Sequence, residues 1–330
     1  MARLPKQNMA VLHKAAESGP VTVPAFAKIN LSLAVLHKRL DGYHEIRSIF
    51  QTISLADRIS ITCHRARKTE LTLQSSVPIP GEARDNLVIR AASRLLDSLK
   101  LHARIHFSID KRIPMGGGLG GGSSDAAAVL LALPPLLGKA IPRERLHEIA
   151  ASIGSDVPFL LDGGTALGIG RGEELYSLPS LRAQWVLLAA PGLHISSAEA
   201  YRALGRPSVT ELTSTPPDPK IKRFQSFART LTQSVSPDEW RVSSENDFEA
   251  AAFRFHPQLA AMWQLLSRGA KFARMSGSGS TLFGIFSSRE SLNQTLATLR
   301  SRYPDCRLET ARFVTRDQFR DAWRKALEIA

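Results

Sequence analysis

The 330-residue chain is 43% hydrophobic and 22% charged, with a formal net charge of +13 and two cysteines. This composition points to a soluble globular protein of about two domains with room for a large core. It excludes a disulfide framework, since Cys63 and Cys306 have no C-x-x-C spacing and read as packed thiols. No run approaches the roughly 18 apolar residues that cross a bilayer, and the start lacks a secretory signal pattern, so no membrane role and a cytoplasmic location are expected. Lysine and arginine are scattered. The longest basic cluster, CHRARK (63–68), interleaves no aromatics, which favours phosphate-bearing small-molecule substrates over nucleic acid.

Residues 1–20 contain no acid before Glu17 and show weak periodicity, so they are expected to form a flexible N-terminal extension. The stretch VPAFAKINLSLAVL (23–36) reads as a strand with Lys28 and Asn30 on one face. A lysine on a buried face needs a partner, whereas one on a strand edge would reach solvent. In LDGYHEIRS (40–48), Tyr43 and His44 follow a D-G turn. Such a pair can stack on and hydrogen-bond a flat heterocycle, or simply pack a hairpin. NLVIRAASRLLDSLK (86–100) has a helical pattern and ARIHFSID (103–110) alternates as a strand. His102 and His106 have H-x-x-x-H spacing without a neighbouring acid, so no metal is expected there.

The next stretch, IPMGGGLGGGSSDAAA (113–128), places six glycines in seven positions between that strand and a helix expected over 123–133, for which Ser123, Ser124 and Asp125 are candidate caps. Backbone N–H groups turned inward by glycines, together with a helix N-terminus, suit an anion such as phosphate. The Walker pattern is missing, because no lysine precedes Ser123. A literal G-x-G-x-x-G exists at Gly116, Gly118 and Gly121, but the following GKAIPRERLHEIA (138–150) reads as loop and helix rather than as the strand a dinucleotide fold needs. The remaining reading is a glycine cradle for a nucleoside triphosphate.

GSDVPFLLDGGTA (154–166) offers Asp156 as a partner for Lys28, or as a turn residue. The first domain is taken as 21–180 and the second as 181–330. The second opens on WVLLAAPG (185–192), a buried-strand pattern, and contains at 205–220 a loop or insertion rich in proline, serine and threonine. It continues with a helix in HPQLAAMWQLLSRG (256–269). RMSGSGSTLFGIF (274–286) is a second glycine and serine loop before a strand.

In this order, AKINLSL, DGYHEI, PMGGGLGGGSSDAA, GSDVPF and SGSGST resemble the GHMP kinase superfamily and, within it, the kinases of 4-diphosphocytidyl-2-C-methyl-D-erythritol in the non-mevalonate isoprenoid pathway. The resemblance covers most of residues 23–290. It implies an α+β fold of two domains, the first ribosomal-protein-S5-like and the second α+β, with the active site in the cleft between them. It also implies ATP-dependent phosphorylation of the substrate's 2-hydroxyl, with Mg²⁺ as the required ion. By the same carry-over Lys28 and Asp156 are catalytic, and Asn30, Tyr43, His44 and Tyr201 bind the substrate. Pro114, Met115, Gly116, Gly117, Gly118, Leu119, Gly120, Gly121, Gly122, Ser123 and Ser124, with Asn86 and Lys111, bind ATP. Ser123 or Ser124 is a possible Mg²⁺ ligand, and a monomer or homodimer is expected. Two other readings compete: a GHMP kinase for another small alcohol of the homoserine or mevalonate type, and a basic RNA-binding protein.

Overall fold

The computed structural model describes residues 19–211, 219–233 and 236–328. Most of the expected extension and the centre of the 205–220 insertion therefore lie outside the described residues. Two long antiparallel strands, β1 (Val21–Lys38) and β2 (His44–Arg65), are joined by the D-G turn and carry the architecture. The edge of β2 away from β1 is shared. Its far half pairs with β4 (Ala103–Asp110) and its near half with β5 (Thr165–Ile169). With β3 (Glu70–Ser75) and β6 (Glu174–Ser177) these make a six-stranded sheet. Among its ladders only β3–β4 is parallel, so the doubly wound sheet of a dinucleotide fold is not formed by the described residues.

Sequence period decides the faces. In β4, Ala103, Ile105, Phe107 and Ile109 are buried, and the residues between them face outward. Helix α1 (Leu87–Leu99) buries Val88, Ala91, Ala92, Leu95 and Leu96, the stripe that a 3.6-residue period produces. Helix α2 (Gly121–Leu136) is apolar nearly all round, because it is enclosed by α1, β1 and α4 (Val157–Asp162). Helix α3 (Arg143–Ile153) completes this layer.

The second sheet has the order β10-β7-β9-β8, from β7 (Trp185–Ala190), β8 (Phe272–Met275), β9 (Leu282–Phe286) and β10 (Arg307–Arg312). Helices α5 (Ser197–Leu204), α6 (Pro219–Thr232), α7 (Pro237–Ser243), α8 (Phe248–Phe255), α9 (Pro257–Gly269) and α10 (Arg289–Arg302) surround it. The last helix, α11 (Arg316–Glu328), crosses back over the expected 21–180/181–330 division. Its Phe319, Trp323 and Leu327 are buried in the same cluster as Ala126, Phe159 and Val23 of the first domain. Burying each of these three side chains contributes about 1.5–3 kcal/mol, enough to dock the helix there.

β1 links the two domains. Its Val21, Val23 and Ala25 belong to the first core, while Ala27, Ile29 and Leu31 pack with Val186, Leu188 and Phe283 of the second. The alternate residues Lys28, Asn30 and Ser32 fall on the opposite face and are also buried. Polar groups enclosed in that way must be hydrogen-bonded, and their partners assemble the candidate site.

Candidate active site

The Lys28 ammonium donates to Asn30 Oδ1 at 2.7 Å and lies 3.2 Å from Asp156 Oδ2. Lys28 is 3% exposed, whereas the Asp156 side chain is 31% exposed. The buried cation therefore holds a carboxylate that still reaches solvent. Asn30 Nδ2 donates to Ser48 Oγ at 2.8 Å, and that hydroxyl donates to the Ser32 carbonyl at 2.9 Å. With both ends of its amide engaged, Asn30 fixes the lysine from the β2 side. Lys28 and Asn30 thus share a face, as their spacing predicts, and Asp156, in the turn just before α4, is the partner that a buried lysine requires.

The glycine loop reaches over this pair. Leu119 carbonyl accepts from Lys28 N–H at 3.0 Å, and Gly116, Gly118 and Gly120 all have positive φ. None of the three expected cap residues caps α2. Its N-cap is Gly120, without a side-chain hydrogen bond, while the Ser124 hydroxyl donates to Phe26 carbonyl at 2.7 Å and Asp125 turns to Lys111. The α2 N-terminus therefore keeps backbone N–H groups free of side-chain caps, which suits an anion.

Two cavities meet at Gly118, Gly120 and Ser123. One, of about 410 Å³, runs along the loop from Pro114 to Ser123 and includes Met115, Asn86 and Lys111. The other, of about 770 Å³, contains Lys28, Asn30, Tyr43, His44, Asp156 and Tyr201. The expected nucleotide residues thus line one lobe, except Ser124, and the expected catalytic and substrate residues line the other. The junction sits at Ser123. Of the two candidate Mg²⁺ ligands, Ser123 faces both lobes and Ser124 is turned into β1.

Residues 86–164 match the model of the GHMP kinases N terminal domain, and residues 222–305 that of the GHMP kinases C terminal. A 4-diphosphocytidyl-2-C-methyl-D-erythritol kinase of Solibacter usitatus (strain Ellin6076) is 47% identical over 305 residues, 92% of either chain. The chain belongs to this kinase family. A crystal structure of 4-(cytidine 5'-diphospho)-2C-methyl-D-erythritol kinase superposes with a TM-score of 0.69 at 32% identity, covering 88% of this chain and 98% of that one. Homoserine kinase from Cytophaga hutchinsonii shares the fold, with a TM-score of 0.65 at 15% identity over 89% of this chain and 95% of that one. As a GHMP kinase the chain is an ATP-dependent small-molecule kinase, and its α+β two-domain fold is that of the family.

In this GHMP kinase the Tyr201 ring is covered by its neighbours. His44 stacks on it with ring centroids 4.6 Å apart and planes 15° from parallel, and Phe248 meets it edge-on at 4.9 Å. Burial pushes the Tyr201 hydroxyl up to about 12, with the Asp156 charge adding to it. Burial, then Lys38, Arg206 and His37, hold the His44 imidazole below its ordinary value. A neutral imidazole both donates and accepts. Tyr43 is 53% exposed, and Arg171, which sequence reading passed over, lies over its ring at 4.7 Å.

Asn86 caps α1, its Oδ1 accepting from Val88 N–H at 2.9 Å. Lys111 is held between two carboxylates, Asp57 at 2.5 Å and Asp125 at 2.8 Å. Asp57 also accepts from the Arg112 and Ile113 N–H groups at 2.5 and 2.7 Å, and so sets the entry to the glycine loop. Burial pushes the Asp125 carboxyl up to about 8 against the pull of Lys111. Nothing in the local pattern LADRIS marks Asp57 as different from a surface acid. Asp57→Ala strips two N–H groups of their acceptor and the buried Lys111 ammonium of one of its two partners. We expect it to cost about 3–5 kcal/mol in urea unfolding at pH 7. A loss below about 1 kcal/mol would contradict this account of the loop's anchorage.

Proposed function

We propose that the chain transfers the γ-phosphoryl of ATP to the 2-hydroxyl of 4-diphosphocytidyl-2-C-methyl-D-erythritol. The observation that carries the reading is the Lys28–Asp156 pair in the larger lobe, which meets the glycine-loop lobe at Gly118, Gly120 and Ser123. Asp156 orients the hydroxyl and accepts its proton as the phosphoryl group departs, which a carboxylate can do because a loose transition state releases the proton late. Lys28 stabilises negative charge on the transferring oxygens, and Asn30 holds Lys28 in register. His44, backed by the stacked Tyr201 ring, and Tyr43 form the aromatic end of the cleft and receive the cytosine. Lys38, Arg171, Arg202 and Arg206 line the same cleft, and their charge matches a diphosphate bridge.

ATP lies along Pro114–Ser123 with its base toward Asn86 and Lys111. Mg²⁺ supplies charge neutralisation on the phosphates when bound. Among the described residues no group of three or more His, Cys, Asp or Glu side chains is arranged for a metal. The Ser123 hydroxyl at the junction would suit an ion that takes most of its ligands from phosphate and water. The reading includes a cytoplasmic enzyme, monomer or homodimer, without a nucleic-acid partner.

The test is ADP release from ATP and Mg²⁺ with the cytidyl substrate, beside homoserine and mevalonate. Turnover confined to the cytidyl substrate is expected. Equal turnover of another alcohol would keep the kinase and remove the cytosine assignment.

A further inference from the structure

The second glycine loop, residues 276–281, contacts both halves of the machinery. Its Ser276 hydroxyl donates to Gly118 carbonyl at 2.9 Å and accepts from Asn30 N–H at 3.3 Å, and Thr281 N–H donates to Gly117 carbonyl at 3.3 Å. Gly277 and Ser278 line the larger lobe. Whatever holds this loop therefore also holds the Gly117–Gly118 peptides that shape the phosphate cradle.

That holder is identifiable. Asn246, 5% exposed, sits just before α8. Its Nδ2 donates to two carbonyls of the loop and its approach, Met275 and Gly277, each at 2.8 Å. Its Oδ1 accepts from Phe248 N–H at 3.0 Å and so anchors the amide to the start of α8. Its backbone neighbours tie the same point to β1, because Leu33 N–H donates to Glu245 carbonyl at 2.8 Å and Asp247 N–H to Leu33 carbonyl at 3.0 Å. On the far side Glu249 Oε1 accepts from Met275 N–H at 2.7 Å. An amide is the group this place demands, since it must give two hydrogens to the loop and take one from the helix; aspartate, serine and leucine each fail one of those tasks.

We infer that Asn246 is a positioning residue for phosphoryl transfer, setting the glycine loop through loop 276–281 without touching either substrate. The inference rests on the kinase reading above. A shift of the loop frees the Gly117 and Gly118 peptides, and misplacement of the cradle by a fraction of an ångström slows transfer more than it weakens binding of the alcohol.

Asn246→Asp has the same size and keeps the acceptor for Phe248 N–H, but turns a carboxylate toward two carbonyls. Relative to the wild type we expect kcat to fall about 10- to 100-fold and the KM for ATP to rise, with the KM for the alcohol within about threefold. Ser276→Ala, which removes the next link, should lower kcat less. The double variant should be little worse than Asn246→Asp alone, because both act through one loop. If the aspartate variant folds poorly, Asn246→Ser, whose hydroxyl keeps a cap but reaches neither carbonyl, reads the same quantity. Wild-type turnover in the same assay separates failure of the kinase reading from failure of this one. Variants whose kcat per folded molecule stays within twofold of wild type, or whose losses multiply in the double variant, would overturn the role of Asn246.

Discussion

Asp156→Asn should lower kcat by about 10²- to 10⁴-fold and leave both KM values within a few-fold. The replacement has the same shape, so the turn before α4 and the lining of the larger lobe are retained. What disappears is the carboxylate facing the Lys28 ammonium at 3.2 Å. Lys28 keeps its bond to Asn30, so its position persists, but the hydroxyl loses both the acceptor that orients it and the group that takes its proton. A loss expressed in kcat rather than in KM marks an interaction made in the transition state. Single-turnover ADP formation at saturating substrates separates this step from product release. If the single-turnover rate fell less than about fivefold, Asp156 would be only a structural partner of Lys28.

Gly118→Ala is expected to cost several kcal/mol of stability and nearly all ATP turnover. Two independent effects act at this residue. Its φ of +75° lies in the left-handed region, where a Cβ costs roughly 1–2 kcal/mol. A Cβ would also stand 2.9 Å from the Ser276 carbonyl carbon and closer still to its oxygen, and both belong to backbone. Since that backbone is fixed by Asn246, relief requires the two glycine loops to separate, which opens the junction of the lobes. Gly122→Ala is the control: its Cβ would meet only Leu87 Cδ1, at an ordinary 3.6 Å. Thermal unfolding of the two variants should therefore diverge sharply, although both residues line the nucleotide lobe. Equal behaviour would mean that the glycines serve phosphate approach alone.

That contrast shows why glycine runs are read incompletely from sequence. The run 116–122 signals close approach, and an anion is the natural visitor for a loop ahead of a helix. Gly117 and Gly118, however, are also required by the protein itself, because a Cβ there would run into Thr281 and Ser276, residues more than 150 positions away. No local pattern contains that partner.

Strands and helices with strong period were legible in the sequence. ARIHFSID is β4, and the pattern over 86–100 becomes α1 with Asn86 as its cap. That Lys28 and Asn30 share a face followed from alternation, and the resemblance supplied their roles. The motif order carried the family and, with it, the residues of both lobes. The tertiary structure alone decided the rest, since it depends on which distant groups burial forces together. It placed α11 on the first core and stacked His44 on Tyr201. It enclosed Lys111 between Asp57 and Asp125, and made Asn246 the tie between two loops. In each case a side chain of ordinary local appearance acquires its role only when a partner far along the chain removes it from water.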